Sequence, residues 1–157
     1  MKNLLKLACA ALFVVASGAA QAGGDLSPAD NKALHDYTLS MDKIRAMQAA
    51  QVELKQLVKS DPALSKLADD TDDSANLTQL EAKLNSMPKL AAVYRKHGLT
   101  AADAILMPLT LMGASVAVQY PSAAAKLAAQ TSPAQIAFVK AHAAELKKMT
   151  WLSGDQN

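Results

Sequence analysis

The residues best placed to do chemistry are the oxygen-bearing side chains between positions 70 and 81. Calcium is a hard cation that takes several oxygen ligands from carboxylates, amides, carbonyl groups and water. A cation held in this segment would be bound by Asp70, Asp72, Ser74, Asn76 and Glu81. Calcium binding is therefore one hypothesis for this segment.

This window resembles the EF-hand loop, which places oxygen ligands at positions one, three and five, glycine at six, an apolar residue at eight and glutamate at twelve. Those positions hold Asp70, Asp72, Ser74, Ala75, Leu77 and Glu81, so five of the six agree. Ala75 departs from the pattern, because that position makes a turn that favours glycine. The alternative is that the acidic residues solvate and cap the start of a helix, with Ser74 or Asn76 as the N-cap.

A second candidate ligand is His142, which lies on an apolar arc of the last predicted helix, between Phe138 and Leu146. A histidine and a methionine from facing helices of a bundle can bind haem without a covalent link. The methionines available for this role are Met41, Met47, Met107 and Met112. The alternative is a core histidine that hydrogen-bonds to Glu145, three residues further on.

The first 22 residues have the pattern of a secretory signal peptide. Lys2 and Lys6 form a basic start, Leu7 to Ala16 is a short apolar core, and Ala20-Gln21-Ala22 is a small-Xaa-small cleavage site. The apolar run is too short to span a bilayer. We therefore expect a bacterial periplasmic or secreted protein whose single domain covers residues 23–157.

Cleavage changes the charge and the cysteine content of the chain. The leader carries two of the 16 Lys and Arg residues and no acid, so 14 basic residues face 14 acidic ones. A balanced chain lacks the basic stripe that nucleic-acid binding needs. Cys9 also leaves with the leader, which excludes disulfides, cysteine-ligated zinc and thiol nucleophiles from the mature protein.

Apolar spacings of three and four predict helices throughout the mature chain. The first begins at Ser27 and Pro28 and continues without a break to Asp61-Pro62, over about 45 Å. Its apolar stripe is Leu34, Tyr37, Met41, Ile44, Met47, Leu54 and Val58. A short helix is predicted over 62–68, and further helices follow from Leu77 and from Pro88.

The helix that Pro88 begins ends at Gly98, and Thr100 with Asp103 forms the capping box of the next one. Residues Ala104 to Ala125 carry no charge and are apolar all round, which favours the central helix of a bundle over a membrane span. Gly113 would allow a neighbour to approach closely. A last helix starts at Ser132-Pro133.

These observations predict an all-α, single-domain bundle of five to six helices around a central apolar helix. No nucleophile, base and orienting group can be assembled from the sequence, so we favour a non-enzymatic protein-interaction or apolar-ligand-binding module without a cofactor. The predicted partner is a protein or a second copy, bound through the first long helix, with neither nucleic acid nor a stable membrane span after cleavage. Calcium binding at residues 70–81 and haem or metal binding at His142 are the alternatives.

Overall fold

The computed structural model describes residues 26–61, 64 and 76–149, and every regular element in those ranges is an α-helix. We number them α1 to α7 in chain order. Their bounds are Pro28–Asp36 (α1), Met41–Ser60 (α2), Leu77–Asn85 (α3), Pro88–Lys96 (α4), Ala101–Gln119 (α5), Pro121–Leu127 (α6) and Pro133–Leu146 (α7). The all-α class is confirmed. The expected number of five to six helices is not, since the described residues contain seven.

Helix α5 is the centre of the bundle and contacts each of the other six described helices. Nine of its residues are buried, and they are spread around the helix rather than along one stripe. In the described part of the chain, α5 is the one helix long and apolar enough to cross a membrane by length and composition. The core helix of a soluble bundle has the same length and composition. The burial of α5 among six neighbouring helices agrees with its predicted central position.

The main core lies between α2, α4, α5 and α7. Its most completely buried large side chains are Ile44, Met47, Leu99, Met107 and Leu111. Ile44, Met47 and Leu54 belong to the predicted stripe of the first helix, and all three are buried. Gln51, which interrupts that stripe, is buried as well, and its amide contacts the sulfur of Met47 at 3.7 Å.

The prediction of one continuous first helix is wrong. The chain leaves the helical conformation after Asp36 and re-enters it at Met41, so the expected helix is divided into α1 and α2. We call residues 37–40 the elbow. Tyr37 and Ser40 have extended backbone, with ψ of 126° and 144°, and the Ser40 hydroxyl caps α2 by accepting from the amide of Lys43. The cause of the break lies in tertiary contacts that sequence periodicity does not report.

Most of the predicted helix ends are confirmed. Ser27, Thr100 and Ser132 each accept a hydrogen bond from an amide of the first helical turn. Gly98 has a φ of 74°, the left-handed conformation expected of a glycine that follows a helix. The signal peptide and almost all of the predicted short helix at 62–68 lie outside the described residues.

Candidate functional site

The predicted calcium ligands are only partly within the described structure. Asp70, Asp72 and Ser74 lie outside it. Asn76 is the N-cap of α3: its side-chain oxygen accepts from the Gln79 amide at 2.9 Å, and the Gln79 side chain accepts from the Asn76 amide at 2.9 Å. This confirms the capping role that the sequence offered for Asn76. The calcium hypothesis itself stays a prediction.

Glu81, the last predicted calcium ligand, lines a shallow cleft of about 80 Å³ between α1, α3 and α5. The buried carboxylate of Asp30 lines the same cleft, but its oxygens are already engaged. One accepts from the Ser27 hydroxyl at 2.7 Å, and the other accepts from the Leu77 amide at 3.2 Å. Asp30 therefore connects the N-terminal ends of two helices, and this cleft is far smaller than the pockets that hold drug-sized ligands.

His142 is half-buried on α7, where its ring lies 4.6 Å from the ring of Phe138 at an interplanar angle of 43°. Glu145, which the sequence offered as its hydrogen-bond partner, is instead bound by Arg45 at 2.7 and 3.0 Å. Of the four candidate methionines, Met47 and Met107 are fully buried and Met112 is exposed. Haem binding at His142 stays a prediction.

A buried polar cluster surrounds Asp103, where the elbow meets the start of α5, and no sequence pattern indicated it. One carboxylate oxygen accepts from the Tyr37 hydroxyl and from the Lys43 ammonium group, both at 2.7 Å. The other accepts from the amide and the hydroxyl of Thr100, at 2.9 and 2.8 Å. Thr100 and Asp103 were predicted as a capping box, but Tyr37 and Lys43 are too distant in sequence for any local pattern to find them.

The electrostatics of this cluster suit a structural role. Burial would raise the pKa of Asp103, but the hydrogen bonds from Lys43, Thr100 and Tyr37 outweigh it and lower that pKa to about 2. Burial and the neighbouring carboxylate raise the pKa of Tyr37 well above its ordinary value. A general acid or base works best when its pKa lies near the operating pH. Neither group meets that condition at neutral pH.

Gln135, like Asp30 and Asp103, links the start of its own helix to another helix. Its side-chain oxygen accepts from the Ser132 amide at 2.8 Å, within the capping box of α7. Its amide nitrogen donates to the carbonyl groups of Leu34, His35 and Tyr37, at 2.8, 3.0 and 2.8 Å. The side chain is buried beside the C-terminal end of α1, where the Leu34 carbonyl group also accepts from the Tyr37 amide at 3.3 Å. It thus adds a donor where the last carbonyl groups of a helix lack intrahelical partners.

Within residues 26–61 and 76–149, an uncharged apolar surface lies along one side of α5. Among the described residues, the large apolar side chains that are exposed are Val52, Met112 and Tyr120, at 57%, 42% and 61%. Val52 is the exposed large apolar residue of α2, whereas the half-buried Val116 lies four residues after Met112 and four before Tyr120. The half-buried Leu109, three residues before Met112, packs against the cluster of Leu34, Leu77 and Ile105. We call Leu109, Met112, Val116 and Tyr120 the uncharged face, because they lie within the charge-free run Ala104 to Ala125.

Comparison with known proteins adds no relative. No protein family, no curated protein and no solved structure matches this chain.

Proposed function

We propose that this chain is an exported, non-enzymatic helical module that binds a partner protein, and that the uncharged face of α5 is its docking surface. The observation that carries the proposal is the exposure of Met112 on α5 and of Tyr120 at the C-cap of α5, at 42% and 61%, because α5 is otherwise the centre of the bundle. Contiguous exposed apolar surface on a small protein marks an interaction site, whereas single exposed apolar residues are ordinary. The charged outer side of α2 is a weaker candidate, because Val52 is the one exposed large apolar residue on that helix.

The occupant that we propose is an amphipathic helix of the partner. From Leu109 to Tyr120 the uncharged face is about 17 Å long, or three helical turns. Its residues recur at intervals of three and four, the spacing with which one helix presents a stripe to another. Towards the start of α5 this side of the helix is already covered by a helix of the same chain, since α1 packs Leu34 against Ile105. The uncovered part continues that packing surface.

Export follows from the predicted leader. Residues 1–22 combine two lysines, an apolar core and an Ala-Gln-Ala cleavage site, so the partner belongs in the periplasm or outside a bacterial cell. Removal of the leader leaves a chain of balanced charge, which fits recognition by apolar packing better than recognition by a charged surface. An apolar small molecule on the same face is the alternative occupant.

Photo-crosslinking in the periplasm of the native host tests the docking surface directly. A benzophenone side chain at Met112 or Tyr120 is expected to give a discrete protein adduct, and the same group at Val52, the matched exposed control, is not. Mapping of the adduct is expected to place the crosslink on an apolar helix stripe of the partner. A lipid adduct, an adduct with a second copy of this chain, or equal crosslinking from Val52 would each contradict the proposal.

The partner identified in this way allows a quantitative comparison. Met112→Lys and Tyr120→Lys are expected to weaken binding at least about tenfold each, because a buried apolar side chain contributes about 1.5 to 3 kcal/mol. Val52→Lys introduces the same charge at a similarly exposed apolar position and should leave the affinity unchanged. Equal losses from all three variants would show that the effect is one of net charge.

A further inference from the structure

This inference rests on the proposal that the uncharged face is a docking surface. We infer that α1 covers the N-terminal part of that face and can be displaced from it. Displacement occurs when the elbow becomes helical, so that α1 and α2 form one continuous helix. In the closed form, Ile105 packs in one cluster with Leu34 of α1 and Leu77 of α3. In the open form, the side of Ile105 that Leu34 covers would join the face, which would then run from Ile105 to Tyr120. The same motion would create the long first helix that the apolar spacing of the sequence predicts.

The first support is that α1 has a small hydrophobic cluster of its own. Leu34, Leu77 and Ile105 form this cluster, with Leu26, Leu80, Leu106 and Leu109 packed around it. It is separate from the main core, which α2, α4, α5 and α7 share. Within α1 itself, only Asp30 and Leu34 are buried. Elements with few buried apolar contacts are the ones that open while the remainder of a protein stays folded.

The second support is that buried polar contacts hold α1 at both ends. At its N-terminal end, Asp30 accepts from the Leu77 amide at 3.2 Å. At its C-terminal end, Gln135 donates to the carbonyl groups of Leu34, His35 and Tyr37. Hydrogen bonds of this kind are specific in geometry but each contributes little net stability, so they can be exchanged for others.

The third support is that the elbow contains nothing that forbids a helix. Residues 37–40 are Tyr-Thr-Leu-Ser, without glycine or proline, and the stripe of Leu34, Tyr37, Met41 and Ile44 continues through them. In a continuous helix the carbonyl groups of residues 34, 35 and 37 would accept from the amides of residues 38, 39 and 41. Gln135 occupies those same carbonyl groups in the closed form. The two arrangements therefore compete for one set of acceptors.

Other contacts of the elbow favour the closed form. Leu39 is buried in the main core and would have to leave it, because it lies on the opposite side of a straight helix from Leu34 and Met41. The Tyr37 hydroxyl also donates to Asp103. A partner helix that covers Ile105 and Leu109 would favour the open form, since a ligand shifts an equilibrium towards the state that it binds better.

Nuclear magnetic resonance of the partner-free chain tests this inference with Gln135→Ala. Two readouts are expected to change together. The first is the Leu77 amide, whose acceptor is on α1: it should exchange with solvent about tenfold faster than in the wild-type protein, in line with the loss of a buried hydrogen-bonding group. The Cα chemical shifts of residues 38–40 should move from extended towards helical values. Gln56→Ala, on the exposed side of α2, is the control and should change neither.

Each other result overturns the inference. If Leu77 exchanges as it does in the control, the two ends of α1 are not coupled; if residues 38–40 stay extended while Leu77 exchanges faster, α1 detaches without straightening. Should Gln135→Ala not fold, Thr38→Ala is the second variant, because Thr38 is the exposed residue of the elbow and alanine favours helix there by propensity alone. It should make Leu77 exchange about twofold faster, and no change would again overturn the inference. Since no partner is present, these outcomes are independent of the crosslinking at Met112.

Discussion

At the scale of single residues, the described chain uses one arrangement three times. Asp30, Asp103 and Gln135 each occupy the third position of a helix whose N-cap is serine or threonine. Each side chain has two polar atoms on its terminal group. One of these atoms hydrogen-bonds to the N-cap of the residue's own helix, and the other hydrogen-bonds to a residue of a different helix. Local capping chemistry thus also fixes how the helices are placed relative to one another.

The Asp103 cluster makes a prediction about pH. The carboxyl group has a pKa of about 2 when folded and an ordinary value of 3.8, so its folded pKa is lowered. The charged form therefore stabilises the fold above pH 3.8, and that stabilisation is lost as the pH falls through about 2. A shift of this size corresponds to about 2 kcal/mol. We expect Asp103→Asn to lower the free energy of unfolding by about that amount at pH 7 and by much less at pH 2, measured by urea titration at each pH.

Asp42→Asn is the matched control, because Asp42 is a neighbouring aspartate whose side chain is 97% exposed. Its ion pair with Arg45 spans 3.3 Å at the surface, where such pairs contribute little. If Asp103→Asn cost the same at pH 7 and pH 2, shape rather than charge would account for the role of Asp103.

At the scale of elements, sequence reasoning succeeded wherever a helix end is set by its own residues. Thr100 with Asp103, Ser132 with Pro133, and Gly98 at a φ of 74° were all predictable from capping rules. It failed at the elbow, since Tyr-Thr-Leu-Ser is compatible with a helix. There the backbone carbonyl of Tyr37 accepts from Gln135, almost 100 residues away, and no local pattern reports such a contact.

Packing of α5 against the turn before α7 makes the next prediction. The sequence indicated that Gly113 allows close approach, and the neighbour is Thr131: a Cβ atom added to Gly113 would lie 2.9 Å from its hydroxyl oxygen. Thr131 is itself buried, so it has little room to move. Alanine in an ordinary helix is about 1 kcal/mol more stable than glycine. At position 113 we expect the reverse, with Gly113→Ala lowering the free energy of unfolding by about 1 kcal/mol in denaturant titration.

A double-mutant cycle separates this contact from other causes. Thr131→Ala removes the hydroxyl oxygen that the new Cβ atom would meet. In the Thr131→Ala background, Gly113→Ala should therefore lower the free energy of unfolding much less than it does in the wild-type protein. Stabilisation by Gly113→Ala in the wild-type background would mean that the neighbouring turn adjusts freely and that the close approach is not required.

At the scale of the whole molecule, the fold class was predictable from the sequence and the proposed docking surface was not. Charge-free composition over Ala104 to Ala125 identified the central helix, because an uncharged segment of this length has to be covered. The same uniformity concealed which side remains uncovered, since Met112 and Val116 look no different in sequence from the buried Met107 and Leu111. Only the arrangement of six helices around α5 separates the two sets.

The last prediction concerns the leader and therefore the compartment in which any partner is met. Expressed with its own N-terminus in a bacterial host, the chain is expected in the periplasmic fraction with an intact mass that begins at Gly23. Because Cys9 is removed with the leader, the exported form should not react with a thiol reagent. A chain that starts at Met followed by Gly23 is the control and should remain in the cytoplasm. An uncleaved chain in the membrane fraction, with Cys9 still present, would place the protein and its docking face at the inner membrane instead.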